Sequence, residues 1–410
     1  MITFVHTADI HFGMENYGHI DPTTGIHTRL HDFAQSLHVC IDSAIERSVD
    51  FFLFCGDAYK THHPTQTQQR MLFECLLRLY KAQIPVVIVI GNHDNPLSFG
   101  KAHALHLFGQ LPLDGFYVID KPSILNLQTK NGMVQIVGIP WPTRNTIALD
   151  KKHAAKSAIE ITTYIAQGVA AIIKNFALSL DQTLPAVLAA HLTVSSGIFS
   201  GSEKRAIYGT DPILLPSQLA ITPYDYVALG HLHRFQNVNG SGYPAVIYSG
   251  SIDRIDFGER KEEKGFCIVT LEKKGSTSYE FVTIPTRPFV QIEVKLQPDA
   301  SQTEQVINAI KKHTIVTAII KIIYYVPAGK KDTVDLGVIE RACSSAHYLV
   351  GIFPILPVET RQQRMIGAKV DMDMAQLMTH YFDLRPAYQA KKDDLVDKAL
   401  ALLQEEAVEE

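Results

Sequence analysis

Asp9 and His11 in "FVHTADIHFG", Asp57 in "DFFLFCGD", Asn92 and His93 in "VVIVIGNHDNP", His191 in "LPAVLAAH", and His231 and His233 in "YVALGHLH" share one position. Each stands at the end of an apolar run. Two carboxylates, an amide oxygen and several imidazoles make a mixed hard and borderline donor set. They are too many for one tetrahedral zinc, whose sites use three or four ligands. They suit two divalent cations ~3.5–4 Å apart, the arrangement of phosphate-ester chemistry. A carboxylate between the ions is the natural bridge, because two cations that close repel. Such a pair activates water and takes up charge on the phosphoryl oxygens, and a neighbouring imidazole can stabilise or protonate the leaving oxygen.

Taken singly, each motif is ordinary. An Asp-x-His at a strand end is usually a cap, and Gly-Asp after a strand is commonly a turn. His-Leu-His can be one core and one surface histidine. The joint occurrence at five strand ends is what points to a metal centre.

The elements that must position these groups are legible as short apolar runs alternating with amphipathic stretches over residues 1–285. Strands are expected at "MITFVHTAD", "DFFLFCGD", "IPVVIVIGNHD", "MVQIVGIP", "LPAVLAAH", "DYVALGHLH" and "YPAVIYSGS". Leu30, Phe33, Leu37, Ile41 and Ala44 recur at helical spacing, as do Leu72, Cys75, Leu76 and Leu79. Residues 151–178 read as a long helix. Continuously apolar strands imply cover on both faces, hence an α/β layered domain whose site lies at the C-terminal strand edge. "TIPTRPFV" (283–290) marks a boundary. Residues 286–358 then read as a small α+β domain. Residues 359–410 read as a helical tail, with Leu395, Ala399 and Leu402 on one face of its last helix.

Bulk properties bound the partners. Of 410 residues, 46% are hydrophobic and 20% charged, an ordinary globular balance. The formal net charge of -4 excludes a uniformly basic nucleic-acid binder but not a local basic patch. Cys40, Cys55, Cys75, Cys267 and Cys343 form no Cys-x-x-Cys pair and read as reduced core residues. No basic leader opens the chain, and no uninterrupted apolar run reaches the ~18 residues of a bilayer span. A cytoplasmic protein without a membrane partner is the expectation.

The ordered set of Asp-x-His, Gly-Asp, Gly-Asn-His-Asp, His and Gly-His-x-His resembles the signature of the calcineurin-like metallophosphoesterases over the first ~235 residues. Within that superfamily "HTADIHFG", "GNHDNP" and especially "YSGSIDRIDFGERKEEKGF" (248–266) resemble the SbcD-type DNA-repair nucleases. The resemblance implies a layered β-sandwich metallophosphoesterase domain flanked by helices (1–285), an α+β capping domain that contacts DNA (286–358) and a helical tail that binds a partner (359–410). It implies two Mn²⁺ ions, with Mg²⁺, Zn²⁺ or Fe²⁺ as possible occupants. One would be held by Asp9, His11, Asp57 and His233, the other by Asp57, Asn92, His191 and His231. His93 would contact the scissile phosphate, and Asp94 would orient His93 by a hydrogen bond. The implied activity is 3′-to-5′ exonuclease on double-stranded DNA ends and endonuclease at hairpins. The implied partner is an SbcC-type coiled-coil ATPase, with a homodimer of this chain inside a heterotetramer.

One departure stands out. Many relatives carry Asp or His three residues after the bridging Asp, where this chain has Lys60; His62 and His63 read as a solvated loop. His6 is expected to be a satisfied core histidine and Trp141 a packing residue. Arg144 and Arg254 are candidate phosphate contacts, Arg254 alternatively a loop tie to Asp253 or Asp256. "ERKEEKG" reads as a solvated turn. The rival functions are a phosphomonoesterase or protein phosphatase, against which the absence of a Gly-Asp-x-x-Asp-Arg-Gly pattern counts, and a non-enzymatic scaffold.

Overall fold

The computed structural model describes residues 1–95, 102–110, 114–143, 157–201, 211–357, 374–383, 385, 388 and 391–409. Arg144 lies outside them. The chain runs through β1 (Ile2–Thr7), α1 (Thr28–Glu46), β2 (Phe51–Phe54), α2 (Gln66–Lys81), β3 (Val86–Val89), α3 (His106–Gln110), β4 (Phe116–Ile119), β5 (Ser123–Thr129) and β6 (Gly132–Ile139). It continues through α4 (Ala158–Ser179), β7 (Ala186–His191), β8 (Thr193–Val194), β9 (Ile213–Leu214), α5 (Pro216–Leu219), β10 (Tyr226–Gly230), β11 (Gln236–Asn237) and β12 (Ala245–Tyr248). Then follow β13 (Gly265–Lys273), β14 (Ser276–Thr283), β15 (Phe289–Lys295), α6 (Gln302–Ile310), β16 (Ile319–Tyr325), α7 (Leu336–Ala342), β17 (Tyr348–Ile355), α8 (Met374–Asp383) and α9 (Lys392–Glu409).

Two six-stranded sheets carry the first compact unit, which comprises Met1–Val294, Asp299–Tyr324 and Thr333–Phe353. One has the order β14-β13-β1-β2-β3-β4 and the other β11-β12-β10-β7-β6-β5. In the first, β1 to β4 are parallel and β13 and β14 continue antiparallel on one side; in the second, β12, β10, β7 and β6 are parallel between antiparallel edge strands. Side chains alternate across a strand. In β10, Tyr226 and Ala228 therefore face the other sheet, while Val227 and Leu229 face the helix layer. Phe4, Phe51, Leu53, Val87, Val187 and Ala189 fill the space between the sheets. Helices α1 and α2 cover the outside of the first sheet and α4 the outside of the second. This is the layered α/β sandwich the apolar runs implied. All five cysteines are buried and free.

His6 is a link between the sheets. Its Nε2 faces the Leu229 carbonyl at 3.2 Å and its Nδ1 the Tyr226 hydroxyl at 3.2 Å. A carbonyl only accepts, so Nε2 carries the proton and Nδ1 accepts from Tyr226. It is the satisfied core histidine expected from its place in β1.

Among the described residues α4 is long and apolar enough to cross a membrane by length and composition, which no uninterrupted apolar run suggested. Its Ile161, Ile165, Val169 and Ile173 are buried in the core against the second sheet.

The small three-stranded sheet β15-β16-β17 follows, with α6 and α7 beside it. Arg287 ties it to α1 through a double contact with Asp32, at 2.8 and 2.6 Å. The second compact unit comprises Lys295–Pro298, Tyr325–Asp332 and Pro354–Glu410. It contains α8 and α9, joined by the Lys392–Asp383 ion pair at 2.6 Å. Leu395 and Ala399 of α9 are half-buried and Val396 is buried; the side chain of Leu402 lies outside the described set.

Candidate metal centre

The parallel registers align the C-terminal ends of β1, β2 and β3 in one sheet with those of β7 and β10 in the other. The residues just past those ends converge. Asp9, His11 and His233 offer ligand atoms within 4.8 Å of one another, as do Asp9, Asp57 and His191, and His11, Asp57 and His93. Asn92 Oδ1 lies 2.9 Å from His191 Nε2 and 3.1 Å from His231 Nδ1. All seven expected ligands, and His93 with them, therefore meet in one place.

The backbone is bent sharply to deliver them. Asp9, His11, Asp57 and His231 have φ of 53°, 52°, 58° and 106°, conformations that non-glycine residues rarely take. Backbone bonds hold the turns: Asp9 N–H to Gly56 carbonyl (2.9 Å), His11 N–H to Asp57 carbonyl (3.0 Å) and His231 N–H to the Asp9 carboxylate (3.0 Å). Two glycines make the close approach possible. A Cβ at Gly91 would overlap Asp57 Oδ1, and one at Gly230 would overlap the Cys55 carbonyl of the facing sheet.

Whether these residues fit a cation is decided by proton bookkeeping at His191. Its Nδ1 donates to the Cys55 carbonyl at 2.7 Å. Nε2 of the neutral ring is then a bare lone pair, yet it faces two oxygens, Asn92 Oδ1 at 2.9 Å and Asp57 Oδ2 at 3.5 Å. Lone pair against lone pair is repulsive unless a cation or a second ring proton stands between them. Burial opposes that second proton, but the Asp57 carboxylate pushes the His191 pKa up to about 9 without a metal. His233 is oriented in the same way: its Nδ1 donates to Glu259 Oε1 at 2.9 Å, which leaves its Nε2 to accept from His11 Nε2 at 3.1 Å. Asp57 is buried, yet His191, His93 and His11 around it hold it well below the usual carboxylate range. It is therefore an anion among three imidazoles, the property a bridging ligand needs.

His93 is fixed differently from expectation. Its Nδ1 donates to the Lys60 carbonyl at 2.8 Å and its backbone N–H to Asp57 Oδ1 at 2.8 Å. The Asp94 carboxylate instead accepts from the backbone N–H groups of Asp57 (2.8 Å), Ala58 (2.9 Å) and Gly91 (3.1 Å). A buried carboxylate finds more in several convergent amide donors than in one ring nitrogen, so Asp94 pins the loop that carries Asp57. Lys60 thus serves through its carbonyl, which any residue at that position would supply. His62 and His63 lie against each other with ring centres 4.4 Å apart and join none of the ligand groups among the described residues.

Arg254 does not reach outward. Its guanidinium donates to the Glu262 carbonyl at 2.7 Å and to Thr286 Oγ1, and burial lowers its pKa. Its partners are therefore mainly carbonyl and hydroxyl groups, while Asp253 stands 3.5 Å from Arg29 instead. The "ERKEEKG" stretch is a solvated turn at Lys261 and Glu263 but not at Glu259 and Lys264. Glu259 and Lys264 are 0% and 1% exposed and pair at 2.8 Å, and Lys264 also donates to the His233 carbonyl at 2.9 Å. Despite its burial, Glu259 is held down to about 2 by Lys264 and His233. Sequence reasoning missed this residue because a Glu among alternating charges looks like surface. Asp211, 3.3 Å from His231 Nε2, carried no motif at all. Trp141 packs, as expected, but against the site, with ring centres 4.8 Å from His231 and 5.9 Å from His191.

Residues 2–235 match the family described as calcineurin-like phosphoesterase. Among solved structures the chain is similar to a dimetal phosphatase from Danio rerio, at 12% identity and a TM-score of 0.39, over 68% of this chain and 98% of that one. It is also similar to TT1561 of Thermus thermophilus, at 12% identity and a TM-score of 0.36, over 68% and 98% of the two chains. The family match spans more than half of the sequence, and the convergent ligand set is the one its chemistry requires: the chain belongs to the calcineurin-like phosphoesterase family and is a metal-dependent phosphoester hydrolase.

Proposed function

We propose that this hydrolase is an SbcD-type nuclease that cuts DNA phosphodiester bonds, as a 3′-to-5′ exonuclease on double-stranded ends and an endonuclease at hairpins, in DNA repair. The observation that carries the reading is the position of residues 248–266. This stretch bears the nuclease resemblance, and it supplies Glu259, which orients His233 in the metal centre. A segment woven into the site makes its resemblance informative about the site's substrate.

On this reading Asp9, His11, Asp57 and His233 hold one ion and Asp57, Asn92, His191 and His231 the other, Mn²⁺ in both cases. When bound, the pair supplies an activated water and positive charge for the phosphoryl oxygens. The chain's own groups do the rest. Glu259 and the Cys55 carbonyl fix the tautomers of His233 and His191, so that Nε2 of each is a lone pair. The Lys60 carbonyl holds His93 by its Nδ1–H, so that Nε2 faces the phosphate and, when the ring carries its second proton, passes that proton to the leaving oxygen. Residues 286–358 cap the site and contact DNA. The helices of residues 359–410 dock on the coiled coil of an SbcC-type ATPase, an amphipathic helix in a partner's groove being an ordinary mode. The complex contains a homodimer of this chain within a heterotetramer. A nuclease whose partner binds DNA need not be basic, which accords with the net charge of -4.

The test is the purified chain with its ATPase partner on end-labelled duplex and hairpin DNA, with and without manganese and ATP, beside a small aryl phosphate. Manganese-dependent shortening of the duplex is expected. Turnover of the aryl phosphate with intact DNA would replace the proposal by a phosphomonoesterase on the same scaffold.

A further inference from the structure

Away from the dinuclear ligand set, His103, His106 and Asp120 offer ligand atoms that all lie within 4.8 Å of one another. His103 precedes α3, His106 opens it, and Asp120 follows the last residue of β4. What separates this group from a chance cluster is His103. The residue is 9% exposed, and among the described residues neither its Nδ1 nor its Nε2 has a hydrogen-bond partner. A buried imidazole with both nitrogens unmatched is unfavourable, because its polar atoms have lost water and gained nothing in return. The His106 ring stands perpendicular to it, at 89° and 5.4 Å between centres, and Asp120 is exposed.

We propose that His103, His106 and Asp120 form a third, mononuclear metal site that takes Zn²⁺. Two imidazoles and one carboxylate are a borderline donor set that zinc accepts, with water completing four-coordination. His106 Nε2 accepts from the side-chain amide nitrogen of Gln110 at 2.8 Å. With zinc on Nδ1 the proton would sit on Nε2 instead, and the amide would turn over to accept it through its oxygen, the usual support for a ligating imidazole. The ion would fasten α3 to the end of β4. His-x-x-His at 103 and 106 is the sequence signal; Asp120 becomes visible only through the fold.

The experiment measures zinc bound by the full chain after equilibrium dialysis, with folding checked by circular dichroism. The background variant Asp9→Asn with Asp57→Asn removes the dinuclear centre. It should retain about one equivalent of zinc, and adding Asp120→Asn and His106→Gln, both outside the core, should abolish that equivalent. Thermal unfolding of the background variant should shift upward with zinc, and the shift should vanish in the combined variant. Zinc uptake unchanged by the second pair of substitutions, or no zinc in the background variant, would overturn the proposal. Neither result bears on the dinuclear centre, which the difference between the natural chain and the background variant reports.

Discussion

At the residue scale, function rests on which nitrogen of each histidine holds its proton. His93 is the clearest case: its Nδ1–H goes to the Lys60 carbonyl, and on the proposed reading its Nε2 faces the substrate. His93→Leu should therefore lower hydrolysis by ~10²–10⁴-fold, the usual range for a proton-transfer group, while manganese titrations stay at the natural stoichiometry. Cleavage surviving in that variant would remove His93 from the mechanism. Glu259 acts one step further back. Glu259→Gln should weaken the ion held through His233 by ~10–100-fold, as losing the support of a ligating imidazole does. Electron paramagnetic resonance of bound manganese should show that ion lost first. Equal affinity for both ions would mean that Glu259 serves only the fold. Asp9, His11, Asp57, Asn92, His191, His231 and His233 were all legible in the sequence, since each ends an apolar run. Glu259, Lys264 and Asp211 were not. A buried pair such as Glu259 and Lys264, set among alternating charges, has no local signature when the imidazole it serves comes from elsewhere in the chain.

At the scale of elements, strand ends and the glycines beside them set the geometry. Continuously apolar runs gave away the parallel strands, because burial on both faces removes the polar alternation. The pairing order of those strands was not readable, nor was the cross-sheet meeting of Gly230 with the Cys55 carbonyl. Gly91 tests this level. A methyl group there would press on Asp57 Oδ1 and on the Asp57 backbone nitrogen, neither of them a flexible chain end. Gly91→Ala should cost about 1–3 kcal/mol, the range for overpacking. It should also reduce bound manganese below the natural stoichiometry, as read by urea unfolding and metal analysis of one preparation. Natural metal content in that variant would show that the loop carrying Asp57 has slack.

At the scale of the whole molecule, the two sheets are joined by apolar packing and by a few polar ties such as His6. Burial lowers the His6 pKa from 6.5 to about 3. Between those values the unfolded chain binds a proton that the folded chain refuses, so stability should be complete above pH 6.5 and fall as the pH drops towards 3. One such proton contributes a slope of up to about 1.4 kcal/mol per pH unit. In His6→Gln that part of the slope should be absent. Denaturant unfolding from pH 7 to pH 4 measures it, and identical slopes in the two proteins would assign acid sensitivity to other groups. The layered architecture was legible from the alternation of runs. The tie of the small sheet to α1 through Arg287 and Asp32 was not, because those residues lie far apart in the chain and belong to no shared motif.

The left-handed turns at Asp9, His11, Asp57 and His231 carry a further consequence. Each holds a side chain in a conformation disfavoured by ~1–3 kcal/mol, which glycine would adopt freely. The residues gathered at the candidate metal centre are thus the wrong ones for the protein's own backbone. Directed evolution for heat resistance alone should drift to glycine at these four sites and yield a sturdier, inert molecule. A library screened for survival at high temperature and sequenced without regard to turnover would reveal that drift; retention of all four residues there would mean their contacts outweigh the strain.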